Sequence, residues 1–272
     1  MCYDIETLHH RSLKFLKRSG ASVEDINAAV DAFNKRFNPL YPEPRVEHNY
    51  HLSGFQHPLV PVIHVYQGKP HVEPMYWGLV PFWCKDTELA NKLWNNTINA
   101  RSESMFEKPS FRGPAKYRRG VIAVESFFEH HHLNKQTYPF NIRSVDGEPI
   151  LMAVLWDEWS DNTTGEIRQT FSIVTVEGND LLSAIHNNPK LQGPRMPLIL
   201  NEDQVSTWLG LSEDAETKDI LALCKPIDAS KLKAYPVRKL RGKAAVGNIP
   251  EATERFDYPE LALVPELEEV LQ

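Results

Sequence analysis

The sequence is poor in the features that mark secreted, membrane-spanning or zinc-binding proteins. Its 272 residues include only three cysteines, and the wide spacing of Cys2, Cys84 and Cys224 excludes a disulfide framework or a cysteine-rich zinc site. No apolar run approaches the roughly 20 residues that cross a bilayer. The segment Met1–Lys17 is polar and rich in His and Lys, and predicts no secretory signal. We therefore expect a cytoplasmic protein, nucleoid-associated if bacterial, without metal, cofactor or membrane contact.

An excess of positive charge is also absent. The formal net charge is −6, which argues against a general nucleic-acid binder. Basic residues nevertheless cluster at Lys108–Arg119 and Lys225–Lys243, while residues 251–269 are strongly acidic. The two basic clusters are either solvated faces or a local phosphate-binding surface.

The apolar pattern changes from helical to strand-like along the chain. Apolar spacing predicts a helix over Ile5–Ser19, ended by a glycine, and a second helix capped by Ser22. From Leu59 onward short β-branched and aromatic runs predict strands, with brief helices between them. The predicted strands are Val60–Tyr66, Val121–Phe128, Tyr138–Arg143, Pro149–Trp156 and Thr170–Val176, and the later helices are Asn179–Ile185, Glu202–Leu209 and Ala215–Cys224. One mixed α+β domain with a β core accounts for this order.

Cys2 is the most informative residue. Removal of Met1 would place a free α-amine beside the thiol of Cys2, and this aminothiol can condense with an aldehyde to an imine and then close to a thiazolidine. The amine titrates near pH ~8 and a free thiol near ~8.5, so modest tuning is expected to make both groups nucleophilic at neutral pH. A cysteine that merely packs in the core is the alternative.

Two segments offer binding groups. The run Trp77–Trp83 (WGLVPFW) is either a core strand ending in a turn or an aromatic platform for unstacked bases. In the NARSE segment, Asn99 and Arg101 are two residues apart on an extended chain and point to the same side. The amide can hold a substrate or an amine, and the guanidinium can clamp a phosphate, although a buried polar pair would look the same.

Two further segments offer acid–base groups. Glu129 follows an apolar strand and two phenylalanines, so partial burial is expected to raise its pKa, as suits a general acid or base; a strand-end ion pair is the alternative. His186 ends a short helix and is expected to change protonation near neutral pH, or else to be structural.

Taken in order, these motifs resemble one family. Met1-Cys2, WGLVPFW, NARSE, SFFE ending at Glu129, the IH at His186 and the RMPLIL strand from Arg195 are similar to the motifs of the SRAP (SOS-response-associated peptidase) family. The resemblance implies a single α+β domain with a mixed, barrel-like β core and peripheral helices, here residues 1–240 with a helical insertion at about 5–37. Residues 241–272 would form an acidic C-terminal arm.

The resemblance also implies an activity. Members of this family recognise abasic sites in single-stranded DNA and cross-link to them. Here the Cys2 amine would attack C1′ of the sugar and the thiol would close a thiazolidine. Asn99 would position the N-terminus or sugar, Arg101 would hold a flanking phosphate, Glu129 would deprotonate the amine, and His186 would move a proton to the sugar oxygen. Some members of the family also remove their own N-terminal residues as peptidases.

Residues near these motifs are candidates for a DNA groove. The stacking and phosphate-binding candidates are Trp77, Trp83, Trp94, Arg112, Arg118 and Arg119. Two other functions remain open: a thiol amidase or protease that uses Cys2 as nucleophile without DNA, and a non-catalytic single-strand binder.

The chain departs from the family pattern at four places. The family's opening Cys-Gly-Arg is here Cys2-Tyr3-Asp4, the aromatic after the motif glutamate is His130, Asn187–Pro194 carries extra residues, and a predicted helical pair follows Cys2 directly. The residue changes at Tyr3 and Asp4 are expected to alter the contact with DNA.

Overall fold

The structure is a computed structural model that describes residues 2–8, 48–162, 164–189, 192–211 and 216–271. Within these residues the strands are β1 (Asp4–Leu8), β2 (His48–Ser53), β3 (Leu59–Tyr66), β4 (Lys69–Trp77), β5 (Asn99–Arg101), β6 (Arg119–Val124), β7 (Ser126–Leu133), β8 (Gln136–Ser144), β9 (Ile150–Ser160), β10 (Ile167–Glu177), β11 (Arg195–Pro197), β12 (Ile199–Leu200) and β13 (Leu232–Pro236). The helices are α1 (Thr87–Trp94), α2 (Arg112–Tyr117), α3 (Asp180–Ile185), α4 (Glu202–Leu209), α5 (Thr217–Leu223) and α6 (Glu268–Leu271).

Five strands close a barrel. The ring runs β10-β4-β3-β6-β9 and returns to β10, with the β10–β4 pair parallel and the others antiparallel. The short strands β5 and β11 pair with the C-terminal half of β10, and β12 pairs with β9. Closure leaves the barrel strands without free edges, and the end of β10 becomes a platform for two short strands that carry polar motif residues.

A second sheet of five strands lies in the order β13-β8-β7-β1-β2. Val121–Phe128 was predicted as one strand, but the chain breaks at Glu125, whose backbone N–H bonds the carbonyl of Glu6 at 2.9 Å. The first part, β6, stays in the barrel, and the second part, β7, enters the other sheet. Continuous apolar composition on both sides of Glu125 hides this change of sheet.

The prediction of a helix from Ile5 is wrong for the residues that the structure describes. Ile5 lies in β1, which is bonded on one side to β2 and on the other to β7. The Glu6 carboxylate is buried and bonds the Ser126 hydroxyl at 2.7 Å and Arg143 at 2.9 Å. Pairing on both edges and this buried polar network outweigh the local helical spacing. The remainder of the predicted helical pair, residues 9–37, lies outside the described residues.

The expected acidic arm is packed on the domain over residues 241–271. Ala252, Leu261 and Leu267 are fully buried, and Leu261 and Leu267 belong to the main core. The Tyr138 hydroxyl donates a 2.9 Å hydrogen bond to Glu260. Apolar residues spaced among the glutamates, together with prolines that start short 3₁₀ turns, explain why this acidic segment folds onto the sheet.

The other predicted strands and the later predicted helices are confirmed. The strands predicted from Val60, Tyr138, Pro149 and Thr170 correspond to β3, β8, β9 and β10, and the later helices correspond to α3, α4 and α5. The α+β class with a barrel-like core is therefore correct. Within the described part of the chain, no helix combines the length and the apolarity that crossing a membrane requires.

Candidate active site

Strand β5 brings Asn99 to Cys2. Its pairing with β10 aligns Asn99 with Ile173 and Arg101 with Thr175. The Asn99 side-chain amide donates a 2.8 Å hydrogen bond to the backbone carbonyl of Cys2. The amide oxygen of Asn99 is buried and has no hydrogen-bond partner among the described residues, so it can accept from one more donor. Asn99 thus fixes the N-terminal backbone and retains a free acceptor beside it.

Strand β7 brings Glu129 to the same place. Asp4 pairs with Phe128 across the β1–β7 ladder, so the residues before Asp4 continue alongside Glu129. Glu129 is 4% exposed, and burial raises its pKa to about 7, with the charge of Asp4 acting in the same direction. The prediction of a raised carboxyl pKa is confirmed. Near neutral pH this group both takes up and releases protons.

The Cys2 thiol is not activated as expected. Cys2 is fully buried in the unprocessed chain, and desolvation raises its pKa well above the ordinary value, with the Glu129 carboxylate adding to the shift. In the chain that retains Met1, the thiol is therefore not tuned toward neutral pH. The thiol keeps its proton, and the thiolate chemistry of an ordinary cysteine hydrolase is disfavoured here.

His186 completes the cluster. It is the C-cap of α3, as predicted, and its Nδ1 lies 3.5 Å from Oε2 of Glu129 and 3.2 Å from the carbonyl oxygen of Arg195. Desolvation lowers the pKa of His186 to about 4, so the imidazole is neutral throughout the physiological range. The prediction that it changes protonation near neutral pH is wrong, because burial disfavours the imidazolium.

Sequence reasoning missed a clamp between two of the motifs. Arg195 holds Glu103 through two parallel hydrogen bonds of 2.7 and 2.9 Å and also bonds the Thr175 carbonyl at 2.8 Å. It ties the turn after β5, the strand that carries Asn99, to β11, and the Arg195 carbonyl in β11 lies 3.2 Å from Nδ1 of His186. The opposite charges in NARSE and RMPLIL were an available signal for this pair.

A second missed group surrounds Asp4. This carboxylate is 1% exposed and lies between the His51 imidazole, at 3.0 Å, and the Arg241 guanidinium. Burial acts to raise the pKa of Asp4, but the hydrogen bond from His51 and the Arg241 charge hold it below its ordinary range. The buried charge of Asp4 is therefore compensated by an arginine from the C-terminal segment.

Two of the predicted stacking residues are structural. Trp77 is fully buried, and its ring nitrogen donates to the Ile98 carbonyl at 3.0 Å. Trp94 is stacked on His57 with ring centroids 4.1 Å apart. Gly78, with φ of 112°, lies so close that a Cβ there would be 2.4 Å from the Trp94 ring. The prediction that Trp77 stacks on a base is wrong, because the core covers its ring. The ring of Trp94 is likewise occupied by its packing against His57 and Gly78.

Arg119 is also structural. Its guanidinium donates to the carbonyls of Trp208, Ala115 and Lys116, and so caps the end of α2. Burial lowers its pKa. The expectation of a phosphate contact is wrong because the carbonyl oxygens of a helix end already use these donors.

Three of the other predicted DNA contacts line a cleft of about 460 Å³, namely Trp83, Arg112 and Arg118. Trp83 is 39% exposed, and its neighbour Phe82 is 64% exposed. Arg112 also lines the cleft, and Arg118 forms an ion pair with the buried Asp157 at its base. Arg101 is exposed separately, at the end of β5 beside Asn99 and Cys2. The cleft combines exposed aromatic rings with guanidinium groups.

The described residues hold no group of three or more His, Cys, Asp or Glu side chains arranged to bind a metal ion. The cluster itself offers a thiol, a carboxyl group, an imidazole and an amide, and removal of Met1 would add an amine. Such a set suits condensation with a carbonyl compound.

The fold and the cluster define a class of protein, a closed barrel with an N-terminal cysteine beside a buried Glu–His pair. The family model described as SOS response associated peptidase (SRAP) matches residues 20–244, and the chain belongs to this family.

The chain is also similar to three individual proteins. The chain is 33% identical over 179 residues to the abasic site processing protein YoqW of Bacillus subtilis. This alignment covers 65% of the chain and 74% of YoqW. The chain is 34% identical to the abasic site processing protein HMCES of Rattus norvegicus over 68% of this chain and 56% of that protein. A crystal structure of a protein from Bacteroides thetaiotaomicron is 30% identical, with a TM-score of 0.76 over 94% of this chain and all of that one.

Proposed function

We propose that this protein captures abasic sites in single-stranded DNA through a covalent thiazolidine on Cys2, after removal of Met1. The observation that carries the proposal is the convergence of Asn99, Glu129 and His186 on Cys2, with Asn99 bonded to the Cys2 carbonyl at 2.8 Å. The names of the relatives YoqW and HMCES, abasic site processing proteins, support the substrate class. An abasic deoxyribose in its ring-opened form supplies the aldehyde.

The reaction begins at the amine. Because the pKa of Glu129 is about 7, a large fraction of this carboxylate is ionised at neutral pH and can take a proton from the Cys2 ammonium. The amine then attacks C1′, and loss of one water gives the imine. The Asn99 side-chain amide nitrogen holds the Cys2 carbonyl, and the Asn99 amide oxygen is buried and has no hydrogen-bond partner among the described residues.

The neutral imidazole of His186 transfers a proton to the sugar oxygen. It lies 3.5 Å from Glu129, so a proton taken by the carboxylate can be passed on to the sugar oxygen as the ring opens. No stable imidazolium is needed, which agrees with a pKa of about 4. The thiol then adds across the imine: sulfur bonds to C1′ and its proton goes to nitrogen.

The DNA would follow the exposed cationic and aromatic groups. Arg101 would hold a phosphate beside the lesion, and the cleft of Trp83, Arg112 and Arg118 would take an unstacked base and its phosphate further along. A net charge of −6 is compatible with this, because one lesion needs only a local basic groove.

The alternative of a thiol amidase is less well supported. Its nucleophile would be a thiolate, whereas burial raises the pKa of the Cys2 thiol well above the ordinary value. The autopeptidase activity that the family name indicates would act at this same site on the residue before Cys2. A non-catalytic single-strand binder would leave the Glu129–His186 pair without a role.

The direct test is incubation of the purified protein with single-stranded DNA that contains one abasic site, followed by denaturing electrophoresis. We expect a heat-stable band of reduced mobility with the wild type and with Cys224→Ala, whose thiol lies outside the cluster. The band should be absent with Cys2→Ala. A band that persists in Cys2→Ala, or none with the wild type, contradicts the proposal.

A further inference from the structure

An exposed aromatic ring lies against Tyr3, the residue that follows Cys2. Phe55 follows β2 in a 3₁₀ turn and is 47% exposed. The ring of Phe55 lies 4.9 Å from that of Tyr3, with the two planes tilted by 31°. The backbone N–H of Gly54 bonds the carbonyl of Tyr3 at 2.8 Å, which fixes this turn to the residue next to Cys2. The position of Phe55 is therefore set by the N-terminal strand.

A guanidinium stands over the same ring. The Arg241 guanidinium carbon lies 5.6 Å from the centroid of Phe55. One nitrogen of Arg241 is held by the buried Asp4 carboxylate, while 47% of the side chain remains exposed. Because a guanidinium has five donors in a planar fork, the pair with Asp4 orients the group and leaves donors facing solvent.

Two cationic groups act on Tyr3. Burial and the charge of Glu129 raise the pKa of Tyr3, and Arg241 and Arg101 both oppose this shift. Both guanidinium groups therefore lie within electrostatic range of one phenol, which directly follows Cys2 in the chain. A strand whose lesion reaches Cys2 would meet positive charge close to it.

We propose that Phe55 and Arg241 form a nucleotide subsite next to the cross-linking cysteine. The exposed ring of Phe55 stacks on the base that neighbours the lesion, and Arg241 contacts its phosphate. This inference rests on the proposed function and specifies how the lesion is held. Exposed aromatic faces combined with guanidinium donors are the pattern by which proteins bind unstacked nucleotides. The Asp4–Arg241 pair positions the guanidinium before DNA arrives, which limits the entropy lost on binding.

The test separates binding from chemistry. A fluorescent single strand with one tetrahydrofuran residue, an abasic analogue without an aldehyde, is titrated with wild type, Phe55→Leu and Arg241→Gln, and anisotropy is measured. Tyr66→Leu is the matched aromatic control, since Tyr66 is exposed and lies on β3. Arg255→Gln is the matched arginine control, since its side chain is 45% exposed and paired with Asp257.

We expect Phe55→Leu to weaken binding about 5- to 10-fold, in line with the worth of one base stacked on an aromatic ring. In a second oligonucleotide, the nucleotide flanking the lesion on the 5′ or the 3′ side is also replaced by tetrahydrofuran. The affinity of the wild type for this oligonucleotide should fall by a similar factor, whereas the affinity of Phe55→Leu should fall no further. Arg241→Gln should reduce the slope of log affinity against log salt by about 0.7, the value for one phosphate contact on a single strand. Both controls should bind as the wild type does.

Arg241→Lys is the control for disturbance of Asp4, because a lysine keeps a positive charge beside that carboxylate. This variant should retain most of the slope of log affinity against log salt. Equal affinities for wild type, Phe55→Leu and Arg241→Gln overturn the subsite. If the wild type still cross-links natural abasic DNA through Cys2 in that case, the proposed function stands and only the subsite fails. If the wild type neither binds the analogue nor cross-links, both fail.

Discussion

Nδ1 of His186 lies 3.5 Å from Oε2 of Glu129, and both side chains are almost entirely removed from solvent. Burial acts on the two groups in opposite directions: it raises the pKa of Glu129 to about 7 and lowers that of His186 to about 4. Each shift favours the neutral form. The pair is therefore a carboxyl group that titrates near neutrality beside an imidazole that stays uncharged.

The first prediction concerns the pH dependence of cross-linking. The base form of Glu129 is present above a pKa of about 7 and is lost below it. The ratio of the wild-type rate to the Glu129→Gln rate should therefore rise as pH increases through 7 and then level off, at about 100-fold, a usual size for general-base catalysis. Single-turnover rates between pH 5.5 and 8.5 give this ratio. Glu107→Gln, an exposed glutamate, should give a ratio near one throughout, and a flat ratio for Glu129→Gln would remove Glu129 as the base.

The second prediction concerns stability. The folded-state pKa of Glu129, about 7, lies above the value near 4.3 of an unfolded chain, so the folded protein holds a proton that the unfolded chain releases. Its contribution is full below pH ~4.3 and is lost as pH rises through 7. Glu129→Gln removes this pH-dependent loss of stability. The change in the free energy of unfolding that it causes should therefore be more favourable at pH 8 than at pH 4 by roughly 3 kcal/mol. Urea denaturation at both values tests this; an equal effect at the two would contradict burial of the carboxylate.

The third prediction concerns Asn99. Its amide nitrogen donates to the Cys2 carbonyl at 2.8 Å, and Asn99→Asp would place an acceptor against that oxygen without changing the size of the side chain. We expect adduct formation to slow at least about 10-fold, the scale of a displaced reacting group. Asn96→Asp, an exposed asparagine nearby, serves as the control and should react at the wild-type rate. An unchanged rate in Asn99→Asp would show that the N-terminus is positioned by other contacts.

The fourth prediction concerns the clamp between motifs. The Arg195 side chain is 9% exposed, so loss of its partner in Glu103→Ala would leave a buried charge poorly compensated. We expect a loss of about 2 kcal/mol in the free energy of unfolding, consistent with charged hydrogen bonds to a buried group. Glu166→Ala breaks a similar two-bond pair with Arg168 at an exposed position and should cost less. Equal losses, measured by chemical denaturation, would show that burial of Arg195 does not matter.

The candidate catalytic residues could be found from the sequence, but their arrangement could not. Cys2, Asn99, Glu129 and His186 each stood out through a motif. They lie just before β1, in β5, in β7 and at the end of α3, and only the barrel and its neighbouring sheet bring these elements together. The direction of the Glu129 pKa shift followed from the apolar residues before it. The shifts of Cys2 and His186 depend on burial by distant elements, so local sequence misjudged both.

Contacts between residues that are distant in sequence explain the other features that were predicted wrongly or missed. Arg241 and Asp4 are 237 positions apart and meet because the C-terminal segment folds back along β1 and β2. Trp77 and Trp83 belong to one aromatic run, but the first ring is buried in the barrel and the second lines a surface cleft. Sequence alone cannot distinguish them, since both rings satisfy the same local pattern.

The intact mass of the protein–DNA adduct is the most decisive measurement for the proposed cross-link. We expect a product equal to the chain without Met1 plus the oligonucleotide minus one water, with peptide mapping that places the sugar on Cys2 as a thiazolidine. A product that retains Met1, or one attached through Cys84 or Cys224, would contradict it.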